Sequence, residues 1–439
     1  MTSLSADDLD RLARATLVAN DRGGYTVPSA KVYPFQWNWD SAFVAMGFAT
    51  FDIPRAWLEL ETLFLGQWSD GMVPSIVFHQ PADHYYPGPK VWGTQHNPPT
   101  TGISQPPLAA TAARCIFETP GGRDLARAKA LFPKLLASHR WWHETRDPER
   151  SGLVTIVHPW ETGRDNSPEW DAPLANIQPT VDVSTLRKDN KAVDPDERPA
   201  DDFYNRVMTL VEEAKALNWD GRAVATQLSF RVCDVGVQSI LMRADRDLLW
   251  LAGEIGLDEA ATQITGWIET SQRGFQRLRH ADGTYRSLDL ITGMLSPVLT
   301  VGSFLPLYAR ACTAADASLL AGLVQKWDAH LRYSMPSTDP LACEFDAARY
   351  WRGPVWLVIN RLVAEGFAAY GNSDLAERLR IESHQLALAH GLREYFNPLT
   401  GEGLGGADFS WSAAMWLAWA GRNRQDRQLT CEAAPLNLA

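Results

Sequence analysis

The sequence predicts an all-α fold, a helical barrel whose long loops form a cap over one rim. Three observations lead there. Apolar residues recur at helical spacing along most of the chain. Strand signals are few and short, the best being 152–157 and 293–299. The connections are long and rich in Trp, Tyr, Gly and Pro, and such loops in a compact protein usually carry function. In chain order, the first element is an amphipathic helix with Ser5 as N-cap and Asp7 and Asp8 in its first turn. A later helix places Leu125, Phe132, Leu135 and Trp142 on one broad face. A helical hairpin turns at Gly256. Another helix opens with Pro354, carries Trp356, Val363 and Phe367 as a stripe, and stops at Gly371. Further helices are expected near 40–67, 104–118, 202–218, 226–250, 301–333, 373–391 and 410–422.

Composition narrows the function. The chain has 439 residues, 45% apolar and 21% charged, ample for a large core. A net charge of -11 argues against nucleic acid or a membrane surface as main partner, because both select basic faces. A local basic pocket for a small anion is compatible with it. The five cysteines, Cys115, Cys233, Cys312, Cys343 and Cys431, are widely spaced and form no CxxC, which fits reduced thiols and a cytoplasmic location. The first residues lack the basic start and apolar run of a secretion signal. No apolar run approaches the roughly 20 residues a membrane span needs. No HExxH, carboxylate–His set, calcium loop, GxGxxG after a strand or P-loop occurs, so neither a metal nor a cofactor is expected. Nothing in the sequence decides between a monomer and a homo-oligomer.

The chemistry is expected in the loops at 33–40, 78–107, 158–171, 349–356 and 395–411. Many of the 18 Trp lie there. Singly, each reads as core packed under a loop; together they suggest aromatic walls around a polar pocket, a form that suits sugars. Residues 158–171, HPWETGRDNSPEWD, concentrate acids in an irregular stretch. Ser167-Pro168-Glu169 reads as a helix start, which makes Glu169 and Asp171 candidate helix-end decoration. Glu161 and Asp165 stand on either side of Gly163, ahead of that helix, where a carboxyl is placed for chemistry. Glu402, between glycines in TGEGLGG, is in a similar setting. Two carboxyls on loops at one rim are what glycoside hydrolysis needs, one to protonate the leaving oxygen and one to activate water or attack.

ETGRDNSPEWD resembles the acid-bearing signature of glycoside hydrolase family 63 and, more distantly, of the trehalases. YPFQWNWDSAF, GISQPP, YWRGPVW and FNPLTGEGLG followed by FSW match the same group in the same order. The resemblance is nearest to the bacterial glucosylglycerate and mannosylglycerate hydrolases. It spans almost the whole chain, and implies an (α/α)6 barrel and an inverting glycosidase. It also implies one domain over residues 1–439, with cap insertions around 68–107 and 158–202. Carried across, it makes Asp165 the general acid and Glu402 the general base. It places Tyr33, Trp37, Trp39, Asp40, Tyr350, Trp351 and Trp356 around the sugar. Tyr85, Gln105, Arg198 and Tyr204 fall at the leaving group, where glycerate would sit. By itself Arg198 reads as a surface charge in a polar segment. Arg164 stands where the family usually carries an apolar residue. Facing the cleft, it would depress the pKa of Asp165, so it is expected to turn away, onto Glu161. Three other functions are weighed against this one. A neutral-disaccharide α-glucosidase would share the barrel. A sugar epimerase would use His as acid and base. A helical binding protein would need no acid pair.

Overall fold

The computed structural model describes residues 5–189 and 193–422, and Cys431 lies outside them. Twelve helices alternate along the chain between an outer and an inner layer. The outer ones are α1 (Ala6–Asn20), α3 (Ile53–Leu63), α5 (Leu125–Glu144), α8 (Asp258–Phe275), α10 (Ala314–Asp328) and α12 (Ser373–His390). The inner ones are α2 (Asn38–Phe48), α4 (Ala109–Glu118), α7 (Val235–Ile255), α9 (Leu305–Tyr308), α11 (Leu357–Ala369) and α13 (Ser410–Met415). Each inner helix packs on the next, and α13 packs back on α2, so the inner ring closes. This is the (α/α)6 barrel. A further long helix, α6 (Asp201–Ala216), lies outside the ring.

The layering follows from sequence pattern. Every residue of α2 is buried, its polar Asn38, Asp40 and Ser41 included, as expected of an inner helix enclosed on every side. In α8 the buried positions Ile264, Ile268, Ser271 and Phe275 recur every three or four residues, which is the stripe of a helix with one wet face. Ser5 and Asp8 form a reciprocal capping box on α1, and Thr313 and Asp316 do the same on α10. Gly256 adopts φ 74° and turns α7 into α8. The ring closes tightly at Gly47 of α2, where an added Cβ would come within 2.7 Å of the Ala414 backbone.

The two stretches expected as strands form only isolated bridges, Ile156 to Val232 and Leu288 to Leu295. The strands are three two-residue antiparallel pairs. These are β1 (Gln36–Trp37) with β2 (Ile76–Val77), β3 (Val232–Cys233) with β4 (Leu288–Asp289), and β5 (Tyr395–Phe396) with β6 (Gly403–Leu404). They pin loops and build no layer. A separate apolar cluster joins Phe35, Trp37, Phe78, Trp92, Ile103, Val183, Tyr204, Met208 and Trp219, from the segments before α4 and around α6. It is the core of a cap over the ends of the inner helices where they begin.

Candidate active site

Four of the loops expected to carry chemistry converge because each leads into the start of an inner helix, and the fifth, 158–171, lies between α5 and α6. Tyr33 to Asp40 lead into α2, Gln105 precedes α4, Tyr350 precedes α11, and Glu394 to Trp411 lead into α13. They enclose a cavity of about 390 Å³. That volume lies in the usual range for a small-molecule site. Tyr33, Trp37, Trp39, Asp40, Tyr85, Gln105, Asp165, Arg198, Tyr204 and Tyr350 all line it.

Asp165 follows a single 3-10 turn, Pro159–Thr162, that ends at Gly163. Gly163 has φ 67°, and a Cβ there would come within 2.5 Å of the Trp39 ring, so only glycine lets this turn sit against the aromatic wall. Asp165 faces the cavity, where burial raises its pKa from the ordinary carboxylate range to about 7. The nearby charge of Glu394 adds to the rise, while Arg198 and a hydrogen bond with Tyr350 oppose it. Tyr350 itself sits at φ 45°, a strained position for a residue with a side chain, as functional sites often tolerate.

Glu402 is not in the cavity. In the β5–β6 hairpin Tyr395 pairs with Leu404 and Phe396 with Gly403. Glu402 therefore belongs to the turn, where its backbone bonds to Asn397 and its side chain is exposed. Glu394 stands at the open end of the same hairpin, fully buried, and lines the cavity. Its Oε1 accepts from the Tyr33 hydroxyl at 3.0 Å and its Oε2 from the Gly406 N–H at 2.9 Å. Burial raises its pKa, against the charge of Arg198 and these two donors. Asp40 is a third buried carboxyl, raised well above its usual value by burial and by the charges of Glu394 and Asp165.

Trp351 and Trp356 do not line the cavity either. Tyr350 takes the place facing it, and the two indoles, each 1% exposed, stack on each other behind the wall with centroids 3.8 Å apart. Trp351 lies 6.2 Å from Trp39 and Trp356 5.6 Å from Trp411, so they back the rings that do face the cavity.

Arg198 is buried, not a surface charge. Its Nη1 donates to the Tyr33 hydroxyl at 3.0 Å, its Nε donates to Asp189 at 3.2 Å, and its guanidinium lies 4.2 Å over the Tyr350 ring. Tyr204 also donates to Asp189, at 2.9 Å. Asp189 is held at about 2: burial opposes this, but the Arg198 charge and its bonds with Arg187 and Tyr204 outweigh it. Gln105 accepts from the Trp39 backbone at 3.4 Å.

Arg164 turns away from the cavity, though not onto Glu161. It pairs with Glu169 and, at 2.5 Å, with Asp234, the cap of α7. Glu169 is thus an internal counter-charge, not helix decoration, and Ser167 makes no cap. Glu161, expected to serve chemistry, is instead wholly buried in a structural pair with Arg146, at 2.5 and 2.9 Å.

Glu394, Asp189, Lys188, Trp160 and Trp411 line the cavity without having been singled out. Glu394 follows a helical stretch, where an acid looks like end decoration. The one signal for it was its place eight residues before Glu402, across a turn marked by Asn397, Pro398 and Gly401.

A helical barrel whose cavity offers paired carboxyls between aromatic walls defines a glycoside hydrolase. The family described as mannosylglycerate hydrolase MGH1-like glycoside hydrolase domain matches residues 33–412, and the chain belongs to it. It is 47% identical over 409 residues to a mannosylglycerate hydrolase of Thermus thermophilus, covering 92% of this chain and 98% of that protein. It is 35% identical over 441 residues to a glucosylglycerate hydrolase of Mycolicibacterium hassiacum, covering 95% and 99%. The crystal structure of a family 63 mannosylglycerate hydrolase from Thermus thermophilus, with Tris and D-glycerate, superposes with a TM-score of 0.89. That match has 46% identity over 93% of this chain and 99% of that one. No helix among the described residues is long and apolar enough to cross a membrane.

Proposed function

We propose that the protein hydrolyses an α-hexosyl-D-glycerate to free hexose and glycerate with inversion, with mannose as the preferred sugar. The observation that carries the reading is Arg198, a cation buried beside Asp165 and Glu394 in a chain of net charge -11. An anionic leaving group would be repelled by the chain as a whole unless such a cation received it. The relatives named for mannosylglycerate and glucosylglycerate, and the neighbour with bound D-glycerate, support the substrate class. The higher identity to the mannosylglycerate enzyme favours mannose.

In this reading Asp165, protonated up to about pH 7, donates its proton to the glycosidic oxygen as the C1–O bond breaks. Glu394 takes a proton from the water that attacks C1 on the opposite face, so an α-glycoside yields the β-hexose. Glu394 is assigned the base because its carboxylate accepts from the Tyr33 hydroxyl and the Gly406 N–H and faces the Arg198 charge, all of which favour its ionised form against burial. Asp40, whose burial favours its neutral form, hydrogen-bonds a sugar hydroxyl. Trp39 and Trp411 present ring faces to the sugar. Arg198, with Tyr85, Gln105 and Tyr204, receives glycerate.

Steady-state kinetics on mannosylglycerate and mannosylglycerol test it. Arg198→Ala raises KM for the glycerate substrate by about 10–100-fold and leaves KM for the neutral one nearly unchanged. Equal losses on both substrates would mean that Arg198 is structural, and the protein a neutral α-glycosidase.

A further inference from the structure

One guanidinium reaches both carboxyls. Arg198 Nη1 donates to the Tyr33 hydroxyl at 3.0 Å, and that hydroxyl donates to Glu394 at 3.0 Å. The same Nη1 lies 4.0 Å from Glu394 Oε1. On its other side the guanidinium covers the Tyr350 ring at 4.2 Å, and Tyr350 hydrogen-bonds Asp165. The two phenol oxygens, Tyr33 and Tyr350, are 3.4 Å apart. We propose that Arg198 couples the charge of the leaving group to the protonation of Asp165 and Glu394. A carboxylate bound there then sets the rate and working pH of the enzyme as well as its affinity. This rests on the assignment of acid, base and glycerate site made above.

The sign follows from charge. A cation within about 4–6 Å lowers a carboxyl pKa by about 1–3 units. Arg198 acts in this direction on both Asp165 and Glu394, against their burial. A glycerate carboxylate on Arg198 cancels much of that charge, and both carboxyls become harder to ionise. Asp165 then keeps its proton to higher pH, and Glu394 is a stronger base. A neutral leaving group adds no second anion to Asp189, which already faces the guanidinium. Other titratable groups also face the pair. Glu394 also faces Glu197, Asp40 and Tyr395, and Asp165 also faces Asp40 and Tyr85. Glu197 is held by the Gly405 N–H at 2.7 Å. Asp189 anchors Arg198 Nε and is itself fixed by Arg187 at 2.9 Å, so the guanidinium stays in place.

The test is the pH dependence of kcat, which reports groups in the enzyme–substrate complex. With mannosylglycerate the alkaline limb lies about one pH unit above that with mannosylglycerol. In Arg198→Gln, the limb for mannosylglycerol rises toward the wild-type limb for mannosylglycerate, although no leaving-group charge is present. A purely structural role for Arg198 moves neither. Calorimetry on the wild type needs no variant. D-glycerate binding at pH 7, measured in buffers of different ionisation enthalpy, takes up protons, whereas glycerol does not. Binding with no proton uptake, or coincident kcat profiles for the two substrates, overturns the coupling and leaves the substrate reading intact. Absence of any glycerate binding removes the substrate reading and the coupling with it.

Discussion

Arg164 and Asp165 are neighbours in the chain and opposites in environment. Arg164 is fixed in a buried cluster with Glu169, Asp234 and Thr300, while Asp165 faces the cavity. Ser287 donates to Glu169 at 2.7 Å and so helps to hold the cluster. The guanidinium is spent on two internal carboxylates and does not serve as a counter-charge for the acid beside it.

Arg164→Met therefore damages stability and spares the chemistry. It leaves Glu169 and Asp234 buried without their cation, at a cost of about 3–5 kcal/mol. Denaturant unfolding measures this. The alkaline limb of kcat stays where it is in the wild type; a limb that moves would show that the Arg164 charge does reach Asp165.

The two acids flanking the β5–β6 turn separate cleanly. Glu394→Gln lowers kcat by at least about 10²-fold, and Glu402→Gln, at an exposed turn, leaves it nearly unchanged. Asp165→Asn also loses at least about 10²-fold on mannosylglycerate, but recovers on an activated aryl glycoside that needs little protonation. Glu394→Gln does not recover there. Equal recovery in both variants would reverse or void the assigned roles.

Much of the architecture was legible because it is written in periodicity. The capped first helix, the turn at Gly256 and the convergence of aromatic loops all follow from local pattern. Partners across the barrel were not legible, because they depend on which loop ends meet. Arg164 meets Asp234, 70 residues away, and Glu161 meets Arg146. The choice between Glu394 and Glu402 needed the hairpin register, since two acids eight residues apart fall at opposite ends of an antiparallel pair. Trp351 and Trp356 share a motif with Tyr350, yet only Tyr350 reaches the cavity. Its left-handed backbone decides that, and a tyrosine letter does not announce it.

The acid also weakens the fold in alkali. Burial raises the Asp165 pKa to about 7, against about 3.9 in an unfolded chain. The stability linked to its proton is full below about pH 4 and is lost as pH rises through 7. Asp165→Asn, which never ionises, melts higher than the wild type at pH 8, and the gap closes as pH falls toward 4. A gap independent of pH would mean that Asp165 is not buried as an acid.

The opposite sign appears at Asp245 on α7. Its carboxylate bonds His139 Nδ1 at 2.7 Å and His143 Nε2 at 3.0 Å, both on α5, so it ties an inner helix to an outer one. Trp267 of α8 stacks on His143 with centroids 4.9 Å apart and closes the site from solvent. Burial pushes the Asp245 pKa up, but the pull of His143 and the bonds from both imidazoles outweigh it and hold it at about 2. A depressed carboxyl contributes stability above its unfolded pKa, about 3.9, and loses it as pH falls through about 2. The difference is worth about 2–3 kcal/mol at neutral pH. Asp245→Asn keeps the shape and removes the charge, so it is less stable than the wild type by about that amount at pH 7. Between pH 4 and 2 the two proteins converge, which unfolding followed by near-UV circular dichroism would record. Asp245 does not line the cavity, so kcat and KM at pH 7 stay as in the wild type while the variant is folded. A stability gap that persisted unchanged down to pH 2 would show that Asp245 holds the helices by packing and hydrogen bonding alone, not by its charge.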